Sequence, residues 1–154
     1  MPVLAVDRVD VTDGRLEAVV VVADESRFRT TSVPDLPSRL LGILPGLARH
    51  RCDNVEGRTF AEELADTETP HLLEHVAEEL MALAGSPRWL KGETSWDFVR
   101  DGRGVFRVVL AYDDDLVALG ALKEGASVVE WLFGQGPEPD IAGAVSRLRE
   151  VRRL

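Results

Sequence analysis

The residues with chemistry to offer are concentrated in one short run, His71-Leu72-Leu73-Glu74-His75. Two imidazoles four residues apart on a helix project from adjacent turns of one face and can grip a single metal ion. The glutamate between them sits one turn from His71 and can take a proton from water. That is the mechanical content of the reversed zincin motif, His-x-x-Glu-His. The implied chemistry is metal-assisted hydrolysis with Zn²⁺, with His71 and His75 as ligands and Glu74 as general base. The pattern is only five residues long, and the same residues would also make an ordinary solvated helix face.

A catalytic zinc takes a third protein ligand. Glu79 lies eight residues beyond His71, roughly 12 Å along a helix axis, so it suits a hydrogen bond to His75 better than the metal. Glu78 is rotationally central but has a similar distance problem, which leaves it a supporting role. His50, in a loop that could fold over the helix, is the favoured third ligand against its plainer reading as a surface histidine. Cys52 reads first as a buried apolar filler and only second as a soft ligand. With one cysteine in the chain, a closed structural site is disfavoured, because such sites are usually rich in thiols.

Elements must hold these residues in place. Thr69-Pro70 reads as a helix start, with Thr69 as N-cap and Pro70 at the first position; the helix runs to about Ala84, where Gly85 stops it. At about 100° per residue, Leu72, Leu73, Val76, Leu80 and Leu83 share a core face. His71, Glu74, His75, Glu78 and Glu79 share the other. Upstream, residues 3–11 and Leu16–Ala23 flank Asp13-Gly14, a hairpin signal. The apolar run Val19–Val22 predicts a strand covered on both faces. A short helix starts near Pro37, Pro45-Gly46 bends or ends it, and residues 51–58 look irregular. Thr59 with Glu62 is a capping box that opens a helix to about Asp66. Trp96–Val99 and Val105–Ala111, around Asp101-Gly102-Arg103-Gly104, predict a second hairpin. Helices follow from Asp113–Asp115 to about Phe133 and from Ile141 to Leu154. The three tryptophans read as core or rim packing. The class is α+β, a mostly antiparallel sheet from two hairpins with a helical subdomain, in a single domain over residues 1–154.

Composition narrows the function. The chain has 154 residues, 45% hydrophobic and 29% charged, with a formal net charge of −9. An acidic chain of this kind is a poor nucleic-acid binder and a poor partner for an anionic membrane. Its longest apolar run is too short to span a bilayer, and Asp7, Arg8 and Asp10 break any signal-peptide core. A single cysteine fits a cytoplasmic location. Neither kind of glycine-rich phosphate loop is present, which argues against ATP or NAD chemistry.

Leu44-Pro45-Gly46-Leu47-Ala48-Arg49-His50-Arg51-Cys52 resembles a segment of the N-terminal domain of cyanophycin synthetase. So does Thr67 followed by His71 to Leu80 and then Leu83-Ala84-Gly85, and so does Gly104 to Tyr112. Phe60 stands at the family's spacing from Cys52. The resemblance raises the standing of His50 and Cys52, since both lie within a matched motif. It implies a free-standing relative, because the ATP-grasp and Mur-ligase-like domains of a synthetase do not fit in this length. In that family the domain is associated with holding cyanophycin, an aspartate backbone bearing arginines. It can also carry a metal-dependent site that cuts the polymer into primers. The resemblance therefore implies a zinc hydrolase acting on a peptide-like polymer rich in Asp and Arg, or a non-catalytic module that binds such a polymer or accompanies a synthetase. Val55, Arg58 and Thr59 replace the glycines usual after the cysteine, Asp66 replaces another, and Met81 stands in place of a glutamine.

Overall fold

A computed structural model describes residues 1–52 and 57–152. Residues 53–56, part of the stretch expected to be irregular, and Arg153 and Leu154 of the last helix lie outside the described residues.

Alternating apolar and polar residues fold Ala5–Thr12 (β1) back on Arg15–Val21 (β2), with Gly14 at the turn. β2 pairs with Val105–Ala111 (β4), and β4 pairs with Gly92–Trp96 (β3). The result is one antiparallel sheet in the order β1-β2-β4-β3, and the α+β class stands. Leu16, Ala18, Val20, Phe106, Val108 and Leu110 turn inward and are buried. β2 is not covered on both faces: its outward residues Glu17, Val19 and Val21 are only half-buried. Across the ladders Val19 lies beside Arg8 and Arg107, so lateral side chains shade it rather than a second layer.

The helices are Leu36–Ile43 (α1), Phe60–Glu63 (α2), Thr69–Leu83 (α3), Phe98–Asp101 (α4), Asp115–Leu132 (α5) and Ile141–Val151 (α6). α3 lies between the sheet, which it meets at β3 and β4, and α5. Gly125 of α5 permits this closeness, because a Cβ there would stand 3.2 Å from Leu73 Cδ1. Of the 15 residues of α3, 11 are buried, more than one amphipathic face could supply.

Several local expectations shift. α3 takes Glu68 as its N-cap, and Thr69 falls inside. There the Thr69 hydroxyl donates to Arg27 O at 2.6 Å, which ties the helix start to the 25–30 segment. The capping box of Thr59 and Glu62 is present, but the helix that it opens stops after one turn. The second hairpin begins earlier than predicted, at Gly92, and residues 98–101 form the helical turn α4. Asp97 caps that turn, while Phe98 turns back to pack on Phe106 at 5.4 Å between ring centroids. Trp131 packs beneath Arg39, whereas Trp89 is 75% exposed and does not join the core. Among the described residues no helix is long and apolar enough to cross a membrane.

Candidate metal centre

The second face of α3 is not wet. The chain after α1 makes a 3-10 turn, Pro45–Arg49, and then runs over the helix. A hydrogen bond from Phe60 N to His50 O and a bridge between Arg51 and Thr59 hold it against the start of α2. Glu74, His75 and Glu79 are consequently buried to 4%, 3% and 1% exposure, so a solvated helix surface is ruled out.

The two α3 histidines present their Nε2 atoms to each other at 3.1 Å. Cys52 Sγ joins them, 3.8 Å from His71 Nε2 and 3.5 Å from His75 Nε2. Cys52, His71 and His75 thus form one group able to hold a metal ion. Glu74 Oε2 stands 3.7 Å from His75 Nε2. Its other oxygen accepts from Thr94 Oγ1 of β3 at 2.7 Å. Phe60 stacks on the His75 ring at 4.1 Å between centroids and sets its plane. Cys52, His71, Glu74 and His75 line a cleft of about 1010 Å³, with Gly92 and Thr94 also in its wall.

His50 arrives at the other edge of His75. The two Nδ1 atoms are 2.9 Å apart, and His50 Nε2 is 2.8 Å from Glu79 Oε1. His50, His75 and Glu78 make a second group with metal-ligand spacing. The structure therefore does not bring His50 beside the two Nε2 atoms; it brings Cys52 there. Glu79 does not reach His75 as expected. Its side chain leaves α3 on the flank facing the 3-10 turn, where it meets His50 and Arg88.

Electrostatics follow from burial. Desolvation, with His71 and His50 as neighbours, lowers the His75 pKa to about 2, so the ring is neutral at physiological pH. Burial would raise Glu79, but hydrogen bonds from His50 and Arg88 and the Arg88 charge outweigh it and hold the carboxyl at about 2. Burial, reinforced by a hydrogen bond to Glu74 and its charge, raises Glu78 to about 10, so Glu78 keeps its proton beside Glu74. Burial and the Glu63 and Glu74 carboxylates push the Cys52 thiol far up.

From the sequence alone, Thr67, Thr94, Arg88, Gly46 and Gly92 had no part in the site. Thr67 Oγ1 is 2.8 Å from His71 Nδ1; its i, i+4 spacing from His71 and its place in the matched segment were the readable signals. The two glycines permit close approach. A Cβ on Gly46 would stand 2.1 Å from Glu79 Oε2, and one on Gly92 would stand 2.7 Å from Glu78 Oε1.

Fold and site together define the class, a small α+β domain with a buried His/Cys/Glu cluster lining a cleft. The chain belongs to the cyanophycin synthase-like N-terminal domain family, whose model matches residues 18–134, from β2 through α5 and across every residue of the cluster. No curated protein matches the chain.

Proposed function

We propose that this protein is a zinc-dependent hydrolase of amide bonds, with Cys52, His71 and His75 as metal ligands and Glu74 as general base. The observation that carries it is the convergence of Cys52 Sγ with two histidine Nε2 atoms beside the Glu74 carboxylate. The donor set fits a cation on its own chemistry. Thr67 stands at His71 Nδ1 and His50 at His75 Nδ1, which leaves both Nε2 atoms turned to one space beside Cys52 Sγ, where a single cation could take all three. Two imidazoles and a thiolate suit zinc. When bound, zinc supplies Lewis acidity toward an amide carbonyl and makes water nucleophilic near neutral pH.

The chain's own groups handle the proton. Thr94 and the protonated Glu78 orient the Glu74 carboxylate. Glu74 accepts a proton as water adds to the carbonyl carbon, then returns it to the amine nitrogen as the C–N bond breaks. Family membership supports cyanophycin, or a related Asp/Arg polymer, as the substrate. The cleft lines exposed Arg15, Arg51 and Lys91 together with Asp66 and Glu93, which suits a ligand carrying both charges.

Elemental analysis of the purified protein, paired with digestion of soluble Asp/Arg polymer followed by mass spectrometry, tests this. Zinc is expected in both the wild type and Glu74→Gln, with fragments falling by about 10²–10⁴-fold in the variant. Absence of zinc binding at sub-millimolar metal overturns the reading. Zinc binding with no effect of Glu74→Gln overturns the mechanism and leaves a metal-organised polymer-binding module.

A further inference from the structure

We propose that Arg88, Glu79 and His50 form a hydrogen-bonded relay that fixes the tautomer of His75, with His50 a positioning residue rather than a metal ligand. The inference rests on the metal-centre reading above and concerns what stands behind it.

The proton positions follow from the partners. Arg88 donates to both oxygens of Glu79, at 2.8 Å from Nη1 to Oε1 and 3.3 Å from Nη2 to Oε2. A carboxylate so held can only accept, so His50 Nε2, 2.8 Å away, carries the hydrogen and donates it. In an imidazole whose hydrogen sits on Nε2, Nδ1 offers a lone pair. At 2.9 Å the group facing that lone pair is His75 Nδ1, which must be the donor. A neutral ring with its hydrogen on Nδ1 has a bare Nε2. His75 thus turns a lone pair toward His71 and Cys52 before any metal arrives.

The relay spans three separated parts of the chain. Glu79 lies one helical turn beyond His75 on α3, His50 follows the 3-10 turn, and Arg88 follows α3. Gly46 completes it, since the Glu79 carboxylate occupies the space a Cβ at that position would take. Thr67 does for His71 what His50 does for His75. It accepts from His71 Nδ1 at 2.8 Å, while its own hydroxyl donates to Glu68 Oε2 at 3.3 Å. Partners of this kind orient metal-ligating histidines and raise their basicity, and losing one weakens metal binding without abolishing it.

The test combines zinc affinity, by competition with a chromophoric chelator, with ¹⁵N–¹H correlation of the histidine rings. In the metal-free wild type the spectra should show His75 as the Nδ1–H tautomer and His50 as Nε2–H. Zinc affinity should fall about 10–100-fold in His50→Ala. It should recover in His50→Gln, whose amide can accept from His75 and donate to Glu79. Arg88→Met, at a half-exposed position, should lose less affinity than His50→Ala and should broaden or shift the His50 ring signals. Loss of zinc binding in His50→Ala as complete as in His71→Ala would make His50 a ligand and overturn the relay. Affinity unchanged in His50→Ala, or an Nε2–H tautomer at His75, would overturn it as well. If the wild type binds no zinc, the proposed function falls, and the ring spectra of the metal-free protein still decide the relay.

Discussion

Thr67 shows how much a single hydroxyl can control. It is buried, and its Oγ1 stands 2.8 Å from His71 Nδ1, in place to accept a hydrogen bond from that nitrogen and so fix which one carries the hydrogen. Thr67→Val keeps the shape and removes the acceptor. Zinc affinity, read by chelator competition, is expected to drop about 10–100-fold with the fold intact. His71→Ala, by contrast, should leave no tight site. At this scale the sequence was legible for residues on one helix. His71, Glu74 and His75 declare themselves through spacing, because i, i+4 geometry is local. The partner of Glu79 was not legible. Its i−4 neighbour His75 was the local choice, while the actual contacts with His50 and Arg88 depend on where two other segments cross α3. The ranking of His50 over Cys52 as third ligand could not draw on the packing, for the same reason. Which edge of the His75 ring each one meets is a tertiary fact.

Among the elements, the 3-10 turn from Pro45 to Arg49 and α3 fit each other through Gly46 and Glu79. Gly46→Ala places a methyl group where the carboxylate sits. The expected cost is about 1–3 kcal/mol, from strain against a buried charged group. Urea unfolding of Gly46→Ala, Glu79→Ala and the double variant checks the assignment: most of the Gly46→Ala penalty should vanish once the carboxylate is gone. Asp114 caps α5 by accepting from Leu116 N and Val117 N at 3.0 and 3.1 Å. Asp114→Ala should lower stability by about 1 kcal/mol, seen as a reduced urea midpoint at constant slope. The α5 start was readable because three aspartates precede an apolar period. The β3 boundary was not, since Trp96–Val99 is as apolar as a strand. Only the Asp97 cap and the pull of Phe98 toward Phe106 turn it into a helical turn.

For the molecule as a whole, titration links site and stability with opposite signs at two places. Glu78 has its pKa raised from 4.5 to about 10, so the folded protein holds a proton that the unfolded chain releases. Its stabilising contribution is complete below pH 4.5 and is lost as pH rises toward 10. Glu78→Gln removes that slope. The metal-free variant should be more stable than wild type at pH 8, by about 1–3 kcal/mol. Asp101 behaves the other way. Hydrogen bonds from Arg107 and then Arg100 hold its carboxyl below the ordinary range, so its contribution is present at neutral pH and disappears on acidification. Asp101→Asn should flatten the acid limb of the same unfolding-midpoint profile and leave the alkaline limb alone. The α+β class was legible at this scale from alternation and capping. The depth at which α3 would lie was not, because its second face reads as polar.

That depth has a consequence for how the centre would behave over time. A helix enclosed between a sheet and α5 is poorly placed to fray by itself, so its amides should exchange with solvent only when the entire domain opens. The two imidazoles ride on the slowest-opening part of the molecule. The pairing of these two side chains would then be lost on the clock of global unfolding rather than of local breathing, and hydrogen exchange at the α3 amides would serve as a direct gauge of whether the site is assembled.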